Sequence, residues 1–190
     1  MTAITAILMG EIHVKQPVLL ILPAFAAEEA VLLWAKSRAT ELFGPVALES
    51  DTFRFDRFTD YYAPSMGAEL LKQIWAFEVP IDPERLAAIK VATNRLEEEY
   101  AEIHASSEIV RPLNLDPGYV DLGKLVLAST KDHAHRIYLQ QGIFAELTLI
   151  YTKKHWQPLP WTYPDYQSKE YHEFFDRCRT VLMTNYKLKG

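Results

Sequence analysis

DPERLAAIKVATNRLEEEYAEIHASSEIVRPL, residues 82–113, is the stretch on which the fold turns. Asp82 offers an N-cap carboxylate, Pro83 sits where a first-turn N–H would be unpaired anyway, and Glu84 adds an acid beside the helix dipole. The periodicity carries a helix to about Ile103, with Leu86, Ile89, Leu96, Tyr100 and Ile103 on one face. Glu97–Glu98–Glu99 reads as a solvated face. Thr93 and Asn94 are poor mid-helix residues, read here as surface positions with a site contact as the alternative. An extended run from Glu108 to Leu113 follows, so the stretch joins a helix to a strand.

Upstream, Gln16 to Leu22 is an apolar strand with Pro17 at its start. A helix follows from Ala26 or Ala27 to the Gly44–Pro45 stop. Val46 to Phe58 is extended with a bulge or bend near Ser50–Asp51. FDRFTDYYAPSMG, residues 55–67, reads as a loop rich in turn formers. Glu69 to Val79 alternates as a strand pairing back on the previous one. The order strand, helix, strand, strand, helix, strand defines an α+β protein with a ferredoxin-like βαββαβ core.

Downstream, Lys124–Ser129, His135–Leu139 and Ile143–Tyr151 add antiparallel strands, with Gln140-Gln141-Gly142 as a tight connection. In the last strand Ile143, Ala145, Leu147, Leu149 and Tyr151 are assigned to the core face, leaving Glu146 as an odd carboxylate on the other. HWQPLPWTYPDY, residues 155–166, holds three prolines and lies extended against the sheet. Ser168 caps a final helix with Tyr171, Phe174, Phe175, Cys178 and Leu182 on one stripe. No repeat or linker interrupts the chain, which reads as one domain over residues 1–190.

The 190 residues carry a formal net charge of −5. An acidic chain of this kind is a poor candidate for general nucleic-acid or anionic-membrane binding. Its one cysteine, Cys178, excludes an internal disulfide and a cysteine zinc site, and its place on an apolar stripe makes it a buried inert thiol. VLLILPAFAA, residues 18–27, imitates a signal-peptide core, but no basic segment precedes it and it is too short to span a bilayer. It is read as a buried strand of a cytoplasmic protein.

The chemistry concentrates between Arg111 and Glu146. Gly118 to Leu125, GYVDLGKL, matches GxxxxGK of a phosphate-binding loop but ends in Leu where a hydroxyl should hold magnesium. A β-prone run follows where that loop needs a helix N-terminus, so the match is discounted. His133 and His135 share a strand face and could chelate a metal only with a third ligand such as Asp116, Asp132, Glu146 or His155. The broader reading is a small-anion site. Lys124, Lys131 and Arg136 would bind the anion, His135 or His133 would move a proton, and Asp132, Asp116 or Glu146 would orient them. Asn114 and Thr130 add polar contacts. Trp161, Tyr163 and Tyr166, with Asp165 among them, would wall a planar ligand. Asn114-Leu-Asp-Pro-Gly118 also suits a plain tight turn.

RPLNLDPGYVDLGKLVLASTKDHAHRIYL (111–139), GIFAELTL (142–149) and LPWTYPDY (159–166) resemble a bacterial family catalogued as domain of unknown function 4416, as do FDRFTDYYAPSMG and IKVATNRLE (89–97). The resemblance implies a small single-domain cytoplasmic bacterial protein and no particular activity or cofactor. It singles out Tyr61, Tyr62, Met66, Gly67, Thr93, Asn94, Glu97, Asn114, Asp116, Gly118, Lys124, Thr130, Lys131, His135, Arg136, Glu146, Trp161, Tyr163, Asp165 and Tyr166. The functional expectation is binding of, and chemistry on, a small anionic molecule in a pocket built from residues 111–146 and 159–166. The alternatives are a non-catalytic ferredoxin-like interaction or assembly module, with homo-oligomerisation open, and a metal-dependent hydrolase using the His133/His135 pair.

Overall fold

The computed structural model describes residues 14–55, 63–66, 69–104 and 109–187. Among these residues ten strands form one antiparallel sheet: β1 (Leu19–Ala26), β2 (Val46–Glu49), β3 (Phe53–Arg54), β4 (Leu71–Phe77), β5 (Leu113–Leu115), β6 (Gly118–Val120), β7 (Lys124–Ser129), β8 (Arg136–Gln140), β9 (Ile143–Thr152) and β10 (His155–Pro158). The helices are α1 (Glu29–Phe43), a one-turn α2 (Ala63–Met66), α3 (Leu86–Ile103) and α4 (Lys169–Lys187). The sheet runs β10-β9-β7-β6-β1-β4-β2, with β3 on β4, β5 on β1 and β8 on β9.

The central strand is β1, the segment that imitates a signal peptide. Both of its faces are buried, which accounts for its unbroken apolar run. Leu20, Leu22, Ala24 and Ala26 pack under α1 and α3 against Leu32, Ala35, Ile89 and Leu96. Leu19 and Ile21 point the other way, against Phe174, Phe175, Cys178 and Leu182 of α4. The α4 stripe is as expected, and burial pushes the Cys178 thiol well above its ordinary pKa. Asp82 caps as expected, its side chain accepting from the Glu84 N–H at 3.0 Å, although the first turn is a 3-10 turn over Pro83–Arg85. The β8–β9 connection places Gln141 and Gly142 at positive φ, 55° and 75°, as a tight hairpin turn requires.

Several expectations are corrected. Ile103 is exposed, whereas Thr93 is fully buried, its hydroxyl donating to the Lys90 carbonyl. Asn114-Leu-Asp-Pro-Gly118 is not a turn. Asn114 and Leu115 belong to β5, Gly118 opens β6, and both strands keep one register along β1. Between them Pro117 lies opposite this part of β1, near Pro23, and neither proline has an N–H to give to the ladder. The GYVDLGKL segment is the β6–β7 hairpin. Its Asp121 carboxylate accepts from the Gly123 and Lys124 N–H groups at 2.7 and 2.8 Å, and a strand follows rather than a helix. In β9 the single core face does not hold. The pairing with β7 shifts between Leu147 and Leu149, so Ala145 and Leu147 pack on the α3 side while Leu149 and Tyr151 pack on the α4 side. Tyr61 and Tyr62, most of the 55–67 loop, and Glu108 lie outside the described residues.

Candidate functional site

The site follows from how β5 and β6 differ on the side away from β1. Here β6 pairs with β7 from Val120 to Gly118, and the Ala128 N–H still reaches the Pro117 carbonyl at 2.9 Å. Beyond that rung the strands part, and among the described residues β5 pairs only with β1. The outward N–H and C=O of Leu115 would be orphaned, a costly condition for buried backbone. Two α3 side chains replace the missing strand: Glu97 Oε1 accepts from the Leu115 N–H at 2.8 Å, and Lys90 Nζ donates to its carbonyl at 2.6 Å. The gap between β5 and the end of β7 opens a cleft of about 1040 Å³.

One wall comes from β5 and α3. Lys90 lies 3.3 Å from Asp116 Oδ1, and the Asn114 amide donates to Asp116 Oδ2 at 2.7 Å. Arg111 donates through Nη2 to Glu97 Oε2 at 3.0 Å and to Asn114 Oδ1. Burial alone would raise the Asp116 carboxyl, but Lys90, Lys72, the Asn114 amide and Arg111 together hold it below its ordinary range. The Asp116 side chain is 33 % exposed, and that exposure is to the cleft that it lines. Glu97 goes the other way. Burial pushes its carboxyl up against the pull of Lys90 and Arg111, and the Asp116 charge adds to the rise.

The opposite wall comes from β7, β8 and β9. Arg136 donates through Nε to Glu146 Oε2 at 2.8 Å, with Nη2 ion-paired to the same oxygen at 2.8 Å, and donates through Nη1 to Ser129 Oγ at 2.7 Å and the Lys131 carbonyl at 3.0 Å. Its guanidinium is therefore spent inside the fold and shapes the Ser129–His133 turn. His135 Nε2 lies 3.0 Å from the same Glu146 oxygen. The His135 ring is stacked between His133, at 5.8 Å, and Trp161, at 4.9 Å.

On the floor, Lys72 and Asp165 form a buried pair at 2.6 Å with side chains 4 % and 3 % exposed. Lys72 Nζ lies 4.6 Å from the Phe55 ring centre and 4.8 Å from that of Tyr166, with Phe25 and Tyr171 farther out.

Many of the residues singled out in the sequence converge here. Asn114, Asp116, Thr130, Lys131, His133 and Arg136 line the cleft, and so do Glu146, Tyr163, Asp165 and Tyr166. Four do not. Lys124 stands at the far end of β7, paired with Asp121 at 3.2 Å. Asp132 is exposed outside the lining. His135 stands behind the wall, and Trp161 backs it, donating through Nε1 to the Leu147 carbonyl at 2.8 Å. The His133/His135 pair gains no third ligand: among the described residues no three His, Cys, Asp or Glu side chains gather as a metal site.

Sequence reasoning missed Lys72, Lys90 and Arg111; Glu97 was singled out by the family resemblance alone, and its own run of acids read as a solvated face. Two signals were available. Lys72 interrupts the apolar phase of Leu70, Ile74 and Ala76, and Lys90 and Glu97 lie one and eight residues after Ile89 on the buried side of α3.

The chain belongs to the family described as domain of unknown function DUF4416, whose model matches residues 16–181. No curated protein and no solved structure matches the chain. Among the described residues no helix is long and apolar enough to cross a membrane.

Proposed function

We propose that the chain binds, and acts on, a small anionic metabolite in the cleft between β5 and β7. The observation that carries this is the difference in exposure among its cations. Lys72, Lys90 and Arg136 are tied to Asp165, Asp116 and Glu146 inside the fold. Arg111 is paired with Glu97 as well, but its side chain is 39 % exposed and stands at the cleft with the exposed Lys131 and His133. Such a rim suits an anionic group, with Arg111 supplying paired N–H donors. The cleft volume, about 1040 Å³, is at the upper end of the range for small-molecule sites. His133, which lines the cleft, takes the proton-moving role in preference to His135, whose Nε2 faces Glu146.

The same reading takes the β1 to β6 portion as a ferredoxin-like core of a cytoplasmic bacterial protein. The strand order β2-β4-β1-β6, with α1 and α3 packed over one face of β1, supports it.

The test is a thermal-shift screen with nucleotides, sugar phosphates and dicarboxylates, followed by titration of any stabilising compound. Arg111→Ala with Lys131→Ala is expected to weaken binding at least tenfold, about 1.4 kcal/mol, while leaving the melting temperature of the free protein within a few degrees. Failure of every anion to stabilise the wild type, or equal affinity in the double variant, would sink the proposal.

A second reading has its own observation. Among the described residues β8 pairs with β9 alone, and its Ile137 and Tyr138 are 72 % and 58 % exposed, next to a partly exposed Leu139. An apolar edge strand is a template for pairing with a second copy, β8 against β8. This supports assembly at β8; in the 155–166 segment Trp156 is buried and Trp161 half-buried, and Tyr163 is exposed. Light scattering of the wild type and of Tyr138→Lys decides: a dimer that the substitution dissociates supports this reading, and a monomer at high concentration removes it.

A further inference from the structure

We infer that the ligand of this cleft is a polyhydroxylated phosphate, a sugar phosphate either free or as part of a nucleotide, with its phosphate at Arg111 and its hydroxyls on Asp116. The inference rests on the anionic-ligand reading and specifies it.

It starts from a mismatch inside the cleft. A site for a bare anion has no use for a carboxylate beside its cations, since the two negative charges repel. Yet Asp116 is accessible from the cleft, and only part of its accepting capacity is used inside the fold. Lys90 takes Oδ1 at a long 3.3 Å and the Asn114 amide takes Oδ2 at 2.7 Å. An ionised carboxylate has about four lone-pair sites and no proton to give. The surrounding cations and the Asn114 amide keep it ionised, so whatever meets it must donate hydrogen bonds. The ligand therefore needs two poles, an anion and a set of donors.

The spacing of the poles is set by a single side chain. Asn114 accepts from Arg111 through Oδ1 and donates to Asp116 through Nδ2, so one amide group separates guanidinium from carboxylate. Two hydrogen bonds and an amide put the two groups at most roughly 7 Å apart. That is the order of the reach from a phosphate oxygen to a ring hydroxyl in a pentose phosphate. A compound with an amine as its donor end would place a full positive charge near Lys90, which already lies within 4 Å of both Asp116 and Glu97. Neutral hydroxyls avoid that repulsion, and a vicinal pair can use both oxygens of one carboxylate.

The experiment is calorimetric titration of the full chain with ribose 5-phosphate, 2-deoxyribose 5-phosphate, AMP and inorganic phosphate. Ribose 5-phosphate or AMP is expected to bind at least tenfold more tightly than inorganic phosphate, and loss of the 2-hydroxyl is expected to weaken binding several-fold. These comparisons use only the wild-type chain, so they do not depend on any variant folding. Asp116→Asn is expected to abolish the preference for the hydroxylated compounds while keeping, or strengthening, the response to inorganic phosphate. Tighter binding of AMP than of ribose 5-phosphate assigns the sugar to a nucleotide, and the reverse order assigns it to a free sugar phosphate.

Phosphate binding that is weakened by Arg111→Ala but indifferent to hydroxyls would overturn this inference and leave the anionic-ligand reading standing. Absence of binding by every phosphate compound would overturn this inference, and the anionic-ligand reading falls with it only if the dicarboxylates of the thermal-shift screen fail too.

Discussion

β5 and β6 are two pieces of one path along β1, in one register, and they end in opposite situations. β6 is closed against β7 by backbone pairing and close packing. β5 is held away from β7, its outward groups satisfied by Lys90 and Glu97. The closed half depends on the absence of a side chain. A Cβ on Gly118 would lie 2.4 Å from the Val126 carbonyl oxygen and 2.6 Å from a Leu127 methyl, closer than atoms can approach. The open half depends on charge: the cleft is bordered by Lys90 with Asp116, Lys72 with Asp165 and Arg136 with Glu146. One side of a break of a few residues is closed sheet, and the other side is an open, charge-lined cleft.

The open half breaks most severely if a buried charge loses its partner. Asp165→Ala leaves Lys72 buried without a carboxylate and is expected to cost about 3–5 kcal/mol. Lys72→Met combined with Asp165→Leu removes both charges at similar volume and is expected to recover most of that loss. Urea unfolding of the three proteins measures this, and equal stabilities for the single and double variants would show that the pair is not the support described.

The closed half is tested by Gly118→Ala. Overpacking against backbone is expected to cost about 1–3 kcal/mol, because the Val126 carbonyl cannot rotate away as a side chain can. A midpoint within error of wild type would mean that β6 and β7 are less closely joined than the structure has them.

The smallest effect separates two carboxylates on the same wall by the sign of their response to pH. The Asp116 carboxyl is depressed in the folded state. Its contribution is present above the ordinary aspartate value, about 3.9, and is lost as pH falls through the depressed value. Glu97 is raised. Its ionisation opposes folding, so stability falls as pH rises from the ordinary glutamate value, about 4.3, through the raised one. Subtracting the Asp116→Asn profile from that of wild type is expected to show stability lost on the acid side. Subtracting the Glu97→Gln profile is expected to show stability lost on the rising side. Slopes of the same sign would contradict the electrostatics assigned to this wall.

Much of the secondary structure was legible because local chemistry decides it. The Asp82–Pro83 start of α3, the Gly44 stop, the Gln141–Gly142 hairpin turn and the α4 stripe each rest on neighbours within one or two turns of chain. The discounting of GYVDLGKL as a phosphate loop rested on the same kind of observation, since a β-prone run follows it. Misreadings fell where distant partners override local preference. Glu97 belongs to a triple-acid run that looks solvated, and only the missing strand beside β5 makes it a backbone acceptor. Arg136 reads as a ligand-binding cation, but Glu146, Ser129 and the Lys131 carbonyl use its donors. The core face of β9 failed because the register shift near Thr148 moves its later residues to the other side of the sheet.

The sequence by itself determined the α+β class, the order of the three long helices and the longer strands, the buried central strand and the concentration of cleft-lining residues in the 111–146 and 159–166 stretches. Periodicity, caps and turn residues act over a few positions and can be read from them. Tertiary structure alone decided that β5 would be held by α3 side chains instead of a strand, and that Lys72, Lys90, Glu97 and Arg111 would meet there. Hydrogen bonds and ion pairs between residues tens of positions apart depend on where the backbone leaves polar groups unpaired, and that exists only once the sheet has formed.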